Sequence, residues 1–223
     1  MNEAEAIVRE IAGDRKRGAT ALAERALDAL ALSHAAAPAL LRVRPGMPLI
    51  AAVVRLARKR GVAAARRELW TSVVKIVRAA RDVMPPGARY IVFGGSGTVE
   101  AVLRSARAKV VKELPADVGL VGADALYPDG DFVNARGTAD FLRRVRRSGA
   151  GVFAVASELK RFKGEIPLDR GFERVPGRLV HAILTERGLI YPPVGTLAGV
   201  DPTWLDRGAL NPEGGRGRCH PHH

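Results

Sequence analysis

Apolar residues recur at helical spacing through roughly the first eighty positions and then give way to short, continuous apolar runs. In EAEAIVREIAG, Ala4, Ile7, Val8 and Ile11 fall on one helical face, and Gly13 stops the pattern. GATALAERALDALALSHA opens a second helix after Arg17-Gly18, with Thr20 near its first turn. PLIAAVVRLARKRG gives a third, and VAAARRELWTSVVKIVRAARDVM a fourth, long and amphipathic. Met84-Pro85-Pro86-Gly87 breaks the periodicity, because consecutive prolines remove backbone donors and disfavour the helical conformation before them. The boundary between a helical domain, residues 1–84, and a second domain, residues 85–207, is placed there.

Past the boundary, ARYIVF reads as a strand, Gly94-Gly95-Ser96-Gly97 as a tight glycine loop, and TVEAVLRSA as a helix. AKVVK, VGLVGA and GVFAVAS read as further strands, with ADFLRRVRRSG as the crossover helix between the last two. PGRLVHAILTERG is expected to be a helix, with Pro176 in its first turn. Alternating strands and helices argue an α/β fold: an N-terminal helical domain plus a C-terminal Rossmann-like parallel sheet. Ligands of such sheets sit beyond the carboxyl ends of the strands. FGGSGT and GADALYPDGD both fall at such ends.

Composition narrows the classes. With 223 residues, 47% hydrophobic and 26% charged, the chain can bury a real core. No apolar run approaches the roughly 18 residues that cross a bilayer, and the acidic, amphipathic start does not suit a signal peptide. The single cysteine, Cys219, cannot form an intramolecular disulfide, and a cytoplasmic protein without membrane contact is expected. The segment 208–223 is rich in Gly and Pro and reads as a flexible tail. Its CHPHH ending lacks a paired half-site, so neither a metal nor a cofactor is assigned.

The formal charge of +13 permits contact with RNA, since Lys and Arg release counterions from phosphates. The basic residues are dispersed, however, and aromatic residues are only 5%, too few for a run of stacking platforms. RNA contact is read as accompanying the function rather than constituting it.

Several residues could carry chemistry. FGGSGTVEAV joins a glycine loop to a helix start, whose free N–H groups attract phosphate. Asp124 follows a strand and precedes a polar loop; it suits a turn or cap partner for Gly137-Thr138 and equally a general acid/base or a ligand for sugar hydroxyls. Arg17 and Arg44 stand at element starts, as surface residues or as phosphate clamps. His34 and His181 fall in expected helices with no evident partner, and no Ser/His/Asp or Cys/His set can be assembled.

Taken together, KRGATALA, RVRPGMPL, FGGSGTVEAVL, VGADALYPDGDFVNARGT, VASELKRF and HAILTERGLIYPP resemble, in order and context, one family. It comprises the alpha, beta and delta regulatory subunits of translation initiation factor 2B, with 5-methylthioribose-1-phosphate isomerase and ribose-1,5-bisphosphate isomerase. The resemblance runs from about residue 5 to 195. It implies a ligand site between the two domains and assembly as homodimers or larger homo-oligomers, with contact to the translation machinery on the regulatory side. It also implies that the catalytic Asp falls on Asp124, the phosphate-holding arginines on Arg17 and Arg44, and the loop Asn on Asn134. Gly18, Ala19, Gly94, Gly95, Ser96, Gly97 and Thr98 complete the implied ligand site.

Three departures bear on chemistry. Gly94 stands where the isomerases carry a catalytic Cys, and Ala135 where a Lys usually follows the Asn. RSARAKVVKELPADVGLVGAD leaves room for one short strand where the family has a further strand–helix unit with a Glu-x-Arg-Pro motif, so a shortened sheet is expected. A protein that binds a phosphorylated sugar or nucleotide without Cys/Asp catalysis is the leading reading. The alternative is an aldose–ketose isomerase working with Asp124.

Overall fold

The computed structural model describes residues 2–192, so the expected tail, CHPHH and the last positions of the second domain lie outside the described residues. Among the described residues, seven α-helices and nine strands follow in order. The first five helices are α1 (Glu3–Gly13), α2 (Ala19–Leu32), the short α3 (Ala37–Leu40), α4 (Pro48–Arg60) and α5 (Val62–Val83). Local signals set their ends. Asn2 and Glu5 form a reciprocal capping box on α1, Pro48 takes the first position of α4, and α5 stops at the Met84-Pro85 break. Ile7, Ile11, Leu22, Leu27, Leu30, Leu49, Ile50 and Leu69 build a core among these helices.

The second half contains β1 (Arg89–Phe93), α6 (Gly97–Ser105), β2 (Lys109–Val110), β3 (Val118–Gly122), β4 (Ala125–Leu126), β5 (Phe132–Ala135), α7 (Thr138–Arg147), β6 (Gly151–Val155), β7 (Phe172–Val175), β8 (Ala182–Thr185) and β9 (Gly188–Ile190). The main sheet runs β2-β1-β3-β6-β8-β9, all parallel except for β9 at one edge. At the other edge β2 is two residues long and both are exposed. One face packs against α5 and α6 through Ile76, Ala80, Val99 and Val102. The other face takes α7 through Phe141, Leu142 and Val145. Thus α5 serves two cores, with Leu69 among the helices and Ile76 and Ala80 against the sheet. Among the described residues no helix is long and apolar enough to cross a membrane.

Two expectations are corrected. AILT is strand, not helix: Ala182–Thr185 is buried throughout and pairs with β6. A short, fully apolar run has no period to tell a buried strand from a buried helix, and the flanking turns decide it. His181 therefore precedes a strand, and its Nδ1 accepts from the Val152 N–H at 2.9 Å. The stretch after Asp124 is also not a plain loop. β4 and β5 form a hairpin that β7 joins in a separate three-stranded antiparallel sheet.

A candidate phosphate-binding cavity

In a sheet ordered β2-β1-β3, the chain leaves β1 toward one edge and resumes at β3 on its other side, so the crevice between the ends of β1 and β3 is open to a ligand. A cavity of about 500 Å³ lies there. Every residue of the implied ligand site lines it. Arg17, Gly18 and Ala19 come from the turn into α2, and Arg44 from the turn before α4. Gly94, Gly95, Ser96, Gly97 and Thr98 come from the turn between β1 and α6. Asp124 follows β3, and Asn134 lies on β5.

Two helix N-termini meet in this cavity. Gly18 precedes the first turn of α2 with no side-chain cap, and Ala19, Thr20 and Ala21 line the wall. Ser96 caps α6, accepting from the Val99 N–H at 3.4 Å. A Cβ on Gly18 would lie 3.4 Å from the Gly95 carbonyl, so the two turns all but touch. Free N–H groups and the positive ends of both helices favour an anion. Gly94 has φ +79°, the left-handed region, while a Cβ there would meet nothing within 4 Å. Backbone conformation rather than space is what suits glycine at this position.

The electrostatics are lopsided. Six cations, Arg15, Lys16, Arg17, Arg44, Arg104 and Lys160, line the cavity against two carboxylates, Glu100 and Asp124. Arg44 is 6% exposed; its guanidinium donates to the Asp14 carbonyl, and its nearest carboxylate, Asp169, stands 3.9 Å away. Burial, then the neighbouring Arg15, lowers its pKa. Lys160, 4% exposed, donates to the Ala123 carbonyl at 2.6 Å. Burial pushes its pKa down against the pull of Asp124 and Glu186. Desolvation raises the pKa of Asp124, opposed by Lys160 and Arg44, and its carboxylate takes no hydrogen bond from the described residues. Two buried cations and one carboxyl, none satisfied by a close ion pair, form a site suited to an anionic ligand that also offers hydrogen-bond donors.

The other implied residues are more occupied. The Arg17 guanidinium is held by Glu10 and by Asp14, the latter at 2.5 Å. Asn134 donates to Thr138 Oγ1 at 3.1 Å, and Thr138 donates to the Ala135 carbonyl at 2.6 Å, so both fasten the turn into α7. Gly137 caps that helix at φ +96°, and Glu173 Oε1 accepts from the N–H groups of Gly137 and Ala139. Asp129 and Asp131 pair with Arg174, which lies over the Tyr127 ring, so the DGD stretch holds the small sheet together.

Sequence reasoning missed Lys160, although VASELKRF belongs to the quoted pattern. Nothing in the spacing announces that a lysine beside Arg161 turns inward. Trp70, Phe93 and Arg104 were missed as well. Among the described residues no group of His, Cys, Asp and Glu is placed to hold a metal.

No family model and no curated protein sequence matches the chain. Solved structures match its fold. The translation initiation factor eIF-2B of Pyrococcus horikoshii OT3 superposes with a TM-score of 0.74 at 19% identity, over 86% of this chain and 98% of that one. The 5-methylthioribose 1-phosphate isomerase of the same organism gives 0.58 at 16% identity, over 85% of each chain. The tetrameric eIF2B-beta2-delta2 complex from C. thermophilum gives 0.63 at 14% identity, over 83% of this chain and 91% of that one. The fold is therefore that of the initiation-factor subunits and the isomerase, shortened against the isomerase. At these identities the likeness concerns fold alone.

Proposed function

We propose that the protein binds a phosphorylated sugar or nucleotide in this cavity, as a binding protein related to the initiation-factor-2B subunits rather than a Cys/Asp isomerase. The supporting observation is the pair Arg44 and Lys160: two buried cations beside two helix N-termini, with the Asp124 carboxyl drawn by both. Gly94 offers no side chain to deprotonate. Isothermal calorimetry with ribose 5-phosphate, AMP and inorganic phosphate tests the reading. Micromolar to millimolar binding by the parent and at least a tenfold loss in Arg44→Ala are expected. Silence across the panel, or full retention in Arg44→Ala, overturns it. Self-assembly as a homodimer or larger homo-oligomer, and contact with RNA or the translation machinery, accompany this reading; light scattering and salt-dependent RNA titration address them.

One observation favours the second reading, a sugar-phosphate isomerase. Aldose–ketose interconversion moves a proton between neighbouring carbons, and a carboxyl raised by desolvation is better matched to that transfer near neutral pH. Turnover of ribose-1,5-bisphosphate or methylthioribose-1-phosphate that disappears in Asp124→Asn would establish it.

A further inference from the structure

Away from the cavity, the C-terminal end of α4 exposes four cations together, Arg55, Arg58, Lys59 and Arg60. They stand in a stretch free of carboxylates: between Asp28 and Glu68 the chain has eight Arg and Lys and no Asp or Glu. Of the eight, Arg44 serves the cavity, and Arg66 is paired with Glu24 and Asp28. The four at the end of α4 have neither an ion pair nor a side-chain hydrogen bond among the described residues.

The fold does not need this grouping. A cation in the last turn complements the helix dipole, and Arg58, Lys59 and Arg60 occupy that turn. Arg55 lies one turn earlier, three residues from Arg58 and four from Lys59, where like charges face each other and weaken a helix. Leu49, Ile50, Val53, Val54 and Ala57 are buried in the helical core, so the cations share the outward side. A polyanion supplies the counter-charge that they lack.

What the face lacks defines the polyanion. None of the large exposed apolar residues lies on α4, whereas an acidic membrane takes a basic helix whose apolar side is open, and a protein partner takes aromatic or aliphatic anchors. No aromatic residue stands among these cations to stack the bases of a single strand. α4 packs against α2 and α5, so it is not free to lie along the major groove of DNA. Helical RNA is recognised from outside, through its shape and phosphates.

We propose that Arg55, Arg58, Lys59 and Arg60 bind the phosphate backbone of double-stranded RNA without reading its sequence. This rests on the RNA contact named beside the cavity reading and gives that contact an address; it does not depend on what the cavity holds.

The test is fluorescence anisotropy of the full chain with an RNA duplex of about 20 base pairs, at salt from about 50 to 200 mM. The variant combines Arg55→Gln, Arg58→Gln and Lys59→Gln, all good helix formers. It should lose at least about tenfold in affinity, and its log–log salt slope should fall by about two to three, roughly 0.9 for each lost phosphate contact. A control combining Arg143→Gln, Arg144→Gln and Arg147→Gln removes as many cations from the exposed side of α7 and should cost less than about threefold. Equal losses in the two variants overturn the address, because net charge alone would then account for binding. No binding by the parent at the lowest salt overturns RNA as the partner, as does preference for phosphatidylserine vesicles or for a DNA duplex of the same sequence. A melting temperature of the α4 variant at or above that of the parent separates lost contacts from lost folding. Calorimetry with ribose 5-phosphate should be the same for the parent and the α4 variant, so failure of the cavity reading and failure of this one are read separately.

Discussion

A buried cation without a close ion pair lowers the stability of the fold that carries it, and Lys160, drawn by Asp124 and Glu186 but in ion-pair contact with no carboxylate among the described residues, is such a cation. Lys160→Met keeps the length and removes the charge. Its expected outcome is an unchanged or higher melting temperature together with at least a tenfold loss of phosphate affinity. A large fall in melting temperature would assign the lysine to structure instead. Arg17 tells the opposite story, since Glu10 and Asp14 already hold its guanidinium. A phosphate arriving at Arg17 competes with them, so Glu10→Gln should tighten phosphate binding a few-fold, read by the same calorimetry. Local marks of glycines, helix starts and strand ends suggest candidates, but it is the family resemblance that implies the set of residues lining the cavity. Neither shows that Arg17 is shared with two carboxylates or that Lys160 turns inward, because those depend on which side chains face each other after folding.

Helices with a visible period and a chemical stop were legible: α1 between Asn2 and Gly13, α5 up to Met84, and α7 from Gly137. β8 was not, because Ala182–Thr185 is buried on both faces and carries no alternation. The cap of α7 was hidden for another reason: its acceptor, Glu173, lies more than thirty residues away in the chain. The β6–β8 contact also carries a pH dependence. Burial first, then Arg146, pushes the His181 imidazole down to about 4 from 6.5. Between those values the unfolded chain holds more protons than the folded one, so stability falls as the pH drops. The contribution is complete above about pH 6.5 and disappears toward pH 4. Urea midpoints taken from pH 7 to 4.5 should show a shallower decline in His181→Asn, whose side-chain oxygen can still accept from Val152.

On the scale of the whole molecule, α5 ties the two halves together. Leu69 belongs to the helical core, Ile76 and Ala80 to the sheet face, and Trp70 and Val73 to the cavity between them. The proline break at 85–86 invites a division into independent domains, but the helix before it is common property. Urea unfolding should therefore be one transition. Exchange protection of helical amides such as Leu27 and sheet amides such as Val121 should disappear together, and Ile76→Ala should lower both by about 2–4 kcal/mol. Separate transitions would show that the halves fold alone. Among the described residues β2 is the outermost strand at one edge of the main sheet, and that edge bears on assembly. β2 offers two residues of ladder, with Lys109 in the strand and Lys112 just beyond it, and short charged edges resist pairing with another strand. Copies of this chain meeting at that edge are therefore not expected to extend one continuous sheet. An assembly on that side has to be held by side chains, which makes its strength and choice of partner adjustable one surface residue at a time.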